Sequence, residues 1–160
     1  MNISFRYDRK KVIQALRYHF ISKKEIRILI ILVNVFALFA AGMFFWKKIA
    51  PVAFLLSSFL WFSLMASFWF ILPFTVYSRA KTFRDSFNLT FLDTYMHIEN
   101  PNGSKDWSYK AFKYFIETPN FFHLYIDERS FFLIPKDAFT AEDGTHNART
   151  LLREKIGQKK

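Results

Sequence analysis

Residues 28–76 read ILIILVNVFALFAAGMFFWKKIAPVAFLLSSFLWFSLMASFWFILPFTV. The only charged side chains in this stretch belong to Lys47 and Lys48, which follow Trp46. Since the arms on either side contain no Asp, Glu, Lys, Arg or His, each arm has the composition of a helix surrounded by hydrocarbon. The pattern therefore predicts two transmembrane helices, at about 28–46 and 50–76, joined by a tight turn.

The lengths of the two arms favour membrane spans over buried core helices. The nineteen residues from Ile28 to Trp46 form a helix of about 28 Å at about 1.5 Å per residue, which matches a hydrocarbon core of about 30 Å. The second arm is longer, so we expect it to tilt or to end near Pro73. A soluble chain of 160 residues has little else to cover two such helices. We do not expect the first arm to be a cleaved signal peptide, because it starts late, follows 27 residues of patterned sequence and is directly followed by a second span.

The distribution of charge predicts the orientation of the hairpin. The formal net charge is +10, but residues 1–27 carry eight basic residues against two acidic ones, and residues 77–160 carry thirteen against eleven. By the positive-inside rule we expect both termini in the cytoplasm, the turn outside, and a multi-pass protein of the bacterial cytoplasmic (inner) membrane. The net charge of residues 77–160 is close to zero, which argues against nucleic-acid binding. We expect contacts with membrane lipids at Lys10, Lys11, Arg17, Lys23, Lys24, Arg27, Trp46, Lys47, Lys48, Tyr77, Arg79 and Lys81.

Few polar side chains lie in the two arms, and Asn34 is the most informative of them. An amide inside a bilayer needs a hydrogen-bond partner, which a serine of the second arm (Ser57, Ser58, Ser63 or Ser67) can supply. Small residues four apart allow close helix contact. We therefore expect the helices to pack through Asn34, Ala37, Ala41, Ser63 and Ser67.

The sequence offers no set of residues for catalysis. There is no cysteine, which excludes disulfides, thiolate metal sites and a cysteine nucleophile. The four histidines share no ligand spacing, and we expect each to be a surface or partly buried aromatic; they are His19, His97, His123 and His146. No glycine-rich phosphate loop occurs. We expect no enzyme activity, no cofactor and no metal site.

The segment before the hairpin, residues 1–27, combines a strand with a basic amphipathic helix. Ile3, Phe5 and Tyr7 alternate with polar residues, as in a strand. Asp8 is placed to cap a helix that extends to about Ser22. Its apolar and basic residues fall on opposite sides, which suits either an interfacial helix on the inner leaflet or a helix packed on the soluble domain.

Residues 78–160 change to short alternating segments. Strands are predicted around Phe87–Phe91, Tyr95–Glu99, Trp107–Thr118, Phe121–Ile126 and Ser130–Ile134, with a turn at 101–104. After Pro135 the apolar residues follow helical spacing up to a C-capping Gly157. The fold class is therefore an α+β membrane protein, in which a two-helix transmembrane hairpin (28–77) precedes a small cytoplasmic antiparallel β domain closed by a C-terminal helix.

Several motifs of this last segment resemble one known family. They are a Trp that opens a strand (Trp107), an aromatic strand that ends at Tyr125, and the element Ile-Pro-Lys-Asp-Ala-Phe with Pro135, Lys136 and Phe139. Together with the hairpin, they look like the YcxB-like family of small bacterial membrane proteins. Asp137 departs from the pattern, because a basic residue is common there.

The resemblance implies a pleckstrin-homology-like domain and brings no catalytic residues. Pro135 can stop the last strand, Phe139 can fill the core beneath the helix, and Lys136 can lie at the corner between them; a ligand-binding role for Lys136 is the alternative. Because residues 87–134 supply few strands for such a domain, we expect residues 2–7 to add one. The hairpin would then be inserted into the domain.

Three functions remain compatible with the sequence. The first, which we favour, is a membrane-anchored non-enzymatic interaction module whose cytoplasmic domain binds inner-leaflet lipid or a protein partner, which can be a second copy of the chain. The second is an immunity-type protein that neutralises a membrane-active or secreted toxin. The third is an accessory subunit of a membrane enzyme or transporter.

Overall fold

The structure is a computed structural model that describes residues 1–140 and 142–157. Its helices are α1 (Arg9–Ser22), α2 (Lys24–Phe45), α3 (Pro51–Ala66), α4 (Leu72–Arg79) and α5 (Glu142–Lys155). Its strands are β1 (Asn2–Arg6), β2 (Ser86–Phe91), β3 (Tyr95–Asn100), β4 (Gly103–Ser108), β5 (Tyr114–Glu117), β6 (Phe121–Tyr125) and β7 (Phe131–Pro135). The chain divides into two compact units, one of Val12–Ala80 and one of Met1–Lys11 with the described residues from Lys81 onward.

Two helices of the first unit are long and apolar enough to cross a membrane, at Lys24–Phe45 and Pro51–Arg79. In the most apolar window of each, 6% and 0% of the residues are buried, so these helices are not the core of a soluble fold. The tight turn between them has Lys47 in the left-handed region at φ 54°. Pro51 stands in the first turn of α3, where its missing amide hydrogen costs nothing.

The second of these helices contains a π-helical turn at Ser67–Ile71, between α3 and α4. It lies just before Pro73. Proline has no amide hydrogen to offer to the carbonyl four residues earlier, and helices commonly widen or bend at such a position. The second predicted span is therefore one continuous helical run with a local defect.

The unit formed by Met1–Lys11 and the described residues from Lys81 onward, which we call the β unit, contains two antiparallel sheets. Their strand orders are β1-β2-β3-β4 and β5-β6-β7. β1 pairs with β2 in a register that sets Ile3 opposite Leu89 and Phe5 opposite Phe87. The expectation that residues 2–7 add a strand is therefore confirmed, and residues 7–85 are an insertion between two paired strands. The largest differences from the predicted strand boundaries are that β4 already begins at Gly103 and that Tyr109–Ala111 forms a 3₁₀ turn instead of strand.

Aromatic side chains fill the core of the β unit. Phe115, Phe121 and Phe122 are almost completely buried, and large rings of this kind let a small domain remove enough apolar area from water. Phe139 packs on Phe91 and on Phe122, with ring centroids 6.2 and 6.3 Å apart. Ala148 and Leu152 of α5 are fully buried.

The helix α1 begins as predicted, since the Lys11 amide donates to the Asp8 carboxylate at 2.9 Å. Val12, Leu16 and His19 on its apolar side are at most 3% exposed, so protein and not lipid covers that side. The expectation of a surface or partly buried aromatic is wrong for His19 and for His123, which is fully buried. Burial, with a smaller contribution from Lys23, lowers the pKa of His19 to about 4.

Candidate functional site

The candidate site lies at β4, one of the two edge strands of the four-stranded sheet. Pairing with β3 sets Lys105 opposite Ile98 and Trp107 opposite Met96. Ile98 and Met96 are buried on the inner face of the sheet, and side chains two residues apart in a strand share a face. The inner face of the sheet is apolar on β2 and β3, and on β4 it carries one cation, Lys105.

A cleft of about 470 Å³ opens beside these residues. Its walls are mainly apolar and come from both sheets, whereas the polar groups belong to the β3–β4 turn and the start of β4. Its lining residues are Phe87, Ile98, Asn100, Asn102, Gly103, Ser104, Lys105, Trp107, Phe112, Ile126, Phe131 and Phe132. A mostly apolar cavity with a few convergent polar groups is typical of small-molecule sites, which measure about 300–1,000 Å³.

Aromatic rings hold the charged end of the cleft in place. The Lys105 ammonium lies 4.2 Å from the centroid of the Trp107 ring, within the range of a cation–π contact. The Trp107 ring in turn packs on Phe112, with centroids 5.9 Å apart. Among the described residues, Lys105 makes no ion pair. Its charge is therefore available to an anion.

The cleft lies at the end of the sheet where the chain leaves for the hairpin. In register, Arg6 at the end of β1 is opposite Ser86 at the start of β2, and Asn100 is opposite Gly103 at the β3–β4 turn. Asn102 of this turn donates to the Asp85 carboxylate at 3.2 Å. Both connections to the inserted helices therefore start beside the β3–β4 turn that lines the cleft.

The residues of the family motif are mostly engaged in the core. Lys136 binds Glu117 at 2.8 Å, and Arg149 makes a two-pronged contact with the same carboxylate at 2.8–3.0 Å. The Arg149 hydrogen bonds, assisted by Lys136, lower the pKa of Glu117 to about 2. Tyr125 is buried and stacks on Tyr114 at 4.8 Å. Pro135 ends β7, as expected, and Lys136 is bound internally, which favours the structural interpretation over a ligand role.

The residues predicted at the membrane interface have different environments. Lys11 binds Asp137 at 2.6 Å, Arg17 contacts the π-helical turn through the Trp69 carbonyl, and the Lys23 ammonium lies over Phe20 at 5.8 Å. Tyr77 is partly buried. The others are exposed: Lys10, Lys24, Arg27, Trp46, Lys47, Lys48, Arg79 and Lys81.

The predicted serine partner of Asn34 is wrong. The Asn34 oxygen accepts a hydrogen bond from the Trp61 indole at 3.3 Å, and its amide donates to Ile30 O at 2.8 Å. The hydroxyls of Ser57, Ser58 and Ser67 donate to carbonyls of their own helical run instead, at 2.8–2.9 Å, because those partners lie within one turn. Ala37 and Ala41 line a groove of about 270 Å³ between the helices, with Trp61 and other residues of the second arm.

Lys105, Glu117 and Arg149 were not singled out by the sequence. The sequence shows Lys105 as a cation two residues before a strand tryptophan. Only the pairing with β3 shows that it lies on the inner face of the sheet. Glu117 and Arg149 are 32 positions apart, and no local spacing connects them. Within residues 1–140 and 142–157, no three His, Asp or Glu side chains converge as a metal ion would require.

Comparison with known families gives one match, to the family described as YcxB-like protein, over residues 91–144. No match was found among curated proteins or among solved structures. The matched segment runs from the end of β2 to the start of α5, and includes Trp107, Tyr125, Pro135, Lys136 and Phe139. The resemblance that the sequence motifs predict is therefore confirmed for residues 91–144, which match the YcxB-like family.

Proposed function

We propose that this protein is a membrane-anchored, non-enzymatic binding module. In this proposal the helices of 24–45 and 51–79 cross the bacterial cytoplasmic membrane, and the β unit lies on the cytoplasmic side. The observation that carries it is the insertion of two exposed apolar helices between the paired strands β1 and β2. An insertion of this kind attaches the β unit to the anchor by two connections.

The arrangement of strands supports a pleckstrin-homology-like domain. Such a domain consists of two packed antiparallel sheets closed by a C-terminal helix. A four-stranded sheet, a three-stranded sheet and α5 follow each other in this order along the chain. Fold likeness gives no function by itself, so the proposed binding role depends on the cleft at β4.

We favour inner-leaflet lipid over a protein as the bound partner. A protein interface needs an extended surface, typically about 800 Å² on each partner. The cleft is instead a concave site with mainly apolar walls and one lysine, Lys105, that forms no ion pair with the described residues, which suits one part of a small amphiphile. The alternative, a protein partner, would be favoured by a protein that copurifies stoichiometrically in mild detergent and whose binding is lost on substitution of residues outside the cleft.

The topology can be tested directly because the chain has no cysteine. Single-cysteine variants Lys48→Cys, in the turn, and Glu128→Cys, in the exposed β6–β7 loop, are labelled in intact cells with a membrane-impermeant maleimide. We expect Lys48→Cys to react from outside and Glu128→Cys to react only after permeabilisation. Labelling of Glu128→Cys in intact cells, or release of the protein by alkaline carbonate, would contradict the proposal.

A further inference from the structure

We propose that the cleft at β4 holds the single acyl chain of an anionic amphiphile, with the acidic head group against Lys105. This inference rests on the proposed membrane-anchored binding function and names the ligand class of that site. The shared chemistry is a hydrocarbon chain joined to a carboxylate or a phosphate, which a fatty acid or a lysophospholipid can supply.

The walls of the cleft fit a hydrocarbon chain. Phe87, Phe132 and Ile98 line it from two different sheets, and Phe87 meets Phe132 edge to face at 5.9 Å. The transfer of apolar surface from water to such walls is favourable by about 25 cal/mol per Å². A polar metabolite would gain little from these walls and would lose its hydration.

The position of Lys105 fits an acidic head group. Lys105 is exposed, as are its neighbours Gly103 and Ser104 at the start of β4, whereas Trp107, two residues further along the strand, is partly buried. A chain can therefore enter past the lysine while its head group stays in water. The cation–π contact with Trp107 holds the ammonium near the entrance without neutralising it.

A second explanation for Lys105 must be distinguished by the test. An inward-facing lysine on an edge strand also discourages edge-to-edge pairing between molecules. That role requires no ligand and does not depend on the cleft. It predicts aggregation when the charge is removed, with no change in ligand contact.

The test uses the full chain in nanodiscs of zwitterionic lipid and three photoreactive probes of equal chain length. The probes are a diazirine fatty acid, a diazirine lysophosphatidic acid and the neutral diazirine fatty alcohol, and labelled peptides are mapped by mass spectrometry. We expect at least one acidic probe to label the peptides that contain Trp107, Phe112 or Phe131. The two acidic arms distinguish a carboxylate ligand from a phosphate ligand.

Substitutions distinguish the contribution of the Lys105 charge from that of the shape of the cleft. Loss of a charge-assisted contact in Lys105→Gln should reduce labelling by the acidic probe about tenfold, without changing labelling by the alcohol. Lys105→Arg should restore it, and the matched control Lys110→Gln, at an exposed lysine of the adjacent 3₁₀ turn, should leave it unchanged. Ile126→Trp, which adds volume inside the cleft, should reduce labelling by all three probes.

Equal labelling in Lys105→Gln and Lys110→Gln would overturn the inference, as would labelling confined to the helices of 24–79. Thermal unfolding of each variant shows whether the β unit is intact, and the Lys105→Arg variant keeps the comparison informative if Ile126→Trp does not fold. Cysteine labelling reports the topology separately. The expected topology without cleft labelling would therefore overturn this inference and leave the anchored module in place.

Discussion

The Arg17 Nε atom donates a hydrogen bond to the Trp69 carbonyl oxygen at 2.9 Å. Pro73, four residues after Trp69, has no amide hydrogen for that carbonyl. The guanidinium also lies 5.4 Å from the ring centroids of Trp69 and Phe70, so it stacks on the π-helical turn while it donates. The basic helix α1 is therefore attached to the second long helix at the point where the backbone of that helix is irregular.

Removal of this hydrogen bond should destabilise the unit of Val12–Ala80, which contains both helices. For Arg17→Gln we expect a loss of about 1 kcal/mol in the free energy of unfolding, measured by thermal unfolding in detergent. The control is Lys10→Gln, an exposed cation of the same helix, which should change stability little. In a Pro73→Ala background the regained amide can satisfy the carbonyl, so Arg17→Gln should cost less there. Equal losses in both backgrounds would contradict this account of the contact.

The ion cluster at Glu117 should make the β unit sensitive to acid. Because Arg149 and Lys136 lower the pKa of Glu117 from about 4.5 to about 2, the charged form is favoured in the folded state. The stabilisation is fully present above pH 4.5 and disappears as the pH falls through about 2. A shift of this size corresponds to at most roughly 3 kcal/mol, and solvent screening at the partly exposed Lys136 and Arg149 side chains reduces this contribution.

The matched variants for this prediction are Glu117→Gln and Glu128→Gln, the second at an exposed loop position. Chemical unfolding between pH 2 and 6 should show a steep loss of stability for the unaltered chain and for Glu128→Gln. Glu117→Gln should start lower and vary less with pH. A parallel pH dependence in all three proteins would show that Glu117 is not the group responsible.

The sequence predicted those features of the fold that depend on local periodicity. The uncharged run of 28–76 gave the two long helices, and the alternation at Ile3, Phe5 and Tyr7 gave β1, because each pattern repeats within a few residues. The insertion could also be inferred, since β1 needed a partner beyond the hairpin. Pairing with β2 confirmed it.

The features that the sequence missed depend on contacts between distant residues. The position of Lys105 on the inner face of the sheet follows from its register with Ile98, and a shift of one residue would have placed it on the opposite face. The partner of Asn34 is predicted among the serines of the second arm, yet the Trp61 indole of that arm donates to it across the hairpin. The sequence pattern was therefore sufficient to predict the strands and helices that carry the candidate site. The contacts within the site could be identified only from the tertiary structure.

Asn34 should contribute little to the stability of the hairpin. Its bond to Trp61 is long, at 3.3 Å, and hydrogen bonds between helices in membranes average about 0.6 kcal/mol. Asn34→Leu should therefore insert normally and lose less than about 1 kcal/mol, measured by steric-trap or thermal unfolding in bilayer mimetics. Trp61→Phe keeps the ring and removes the donor, and it should give a similar small change. A loss of insertion in Asn34→Leu alone would assign the amide a function outside this pair.

Tyr7 connects the segment before the hairpin to the last strand of the β unit. It is 8% exposed, its hydroxyl donates to the Leu133 carbonyl at 2.7 Å, and burial raises its pKa above the usual range. Tyr7→Phe retains the ring contacts with Phe5 and Phe87 but leaves a buried carbonyl without this donor. We expect a loss of about 1–3 kcal/mol, whereas Tyr95→Phe at a half-buried position of β3 should have little effect. Because the bond spans 126 residues, limited proteolysis should also release residues 1–8 sooner in Tyr7→Phe. Unchanged proteolysis with unchanged stability would show that strand pairing alone holds β1 in the sheet.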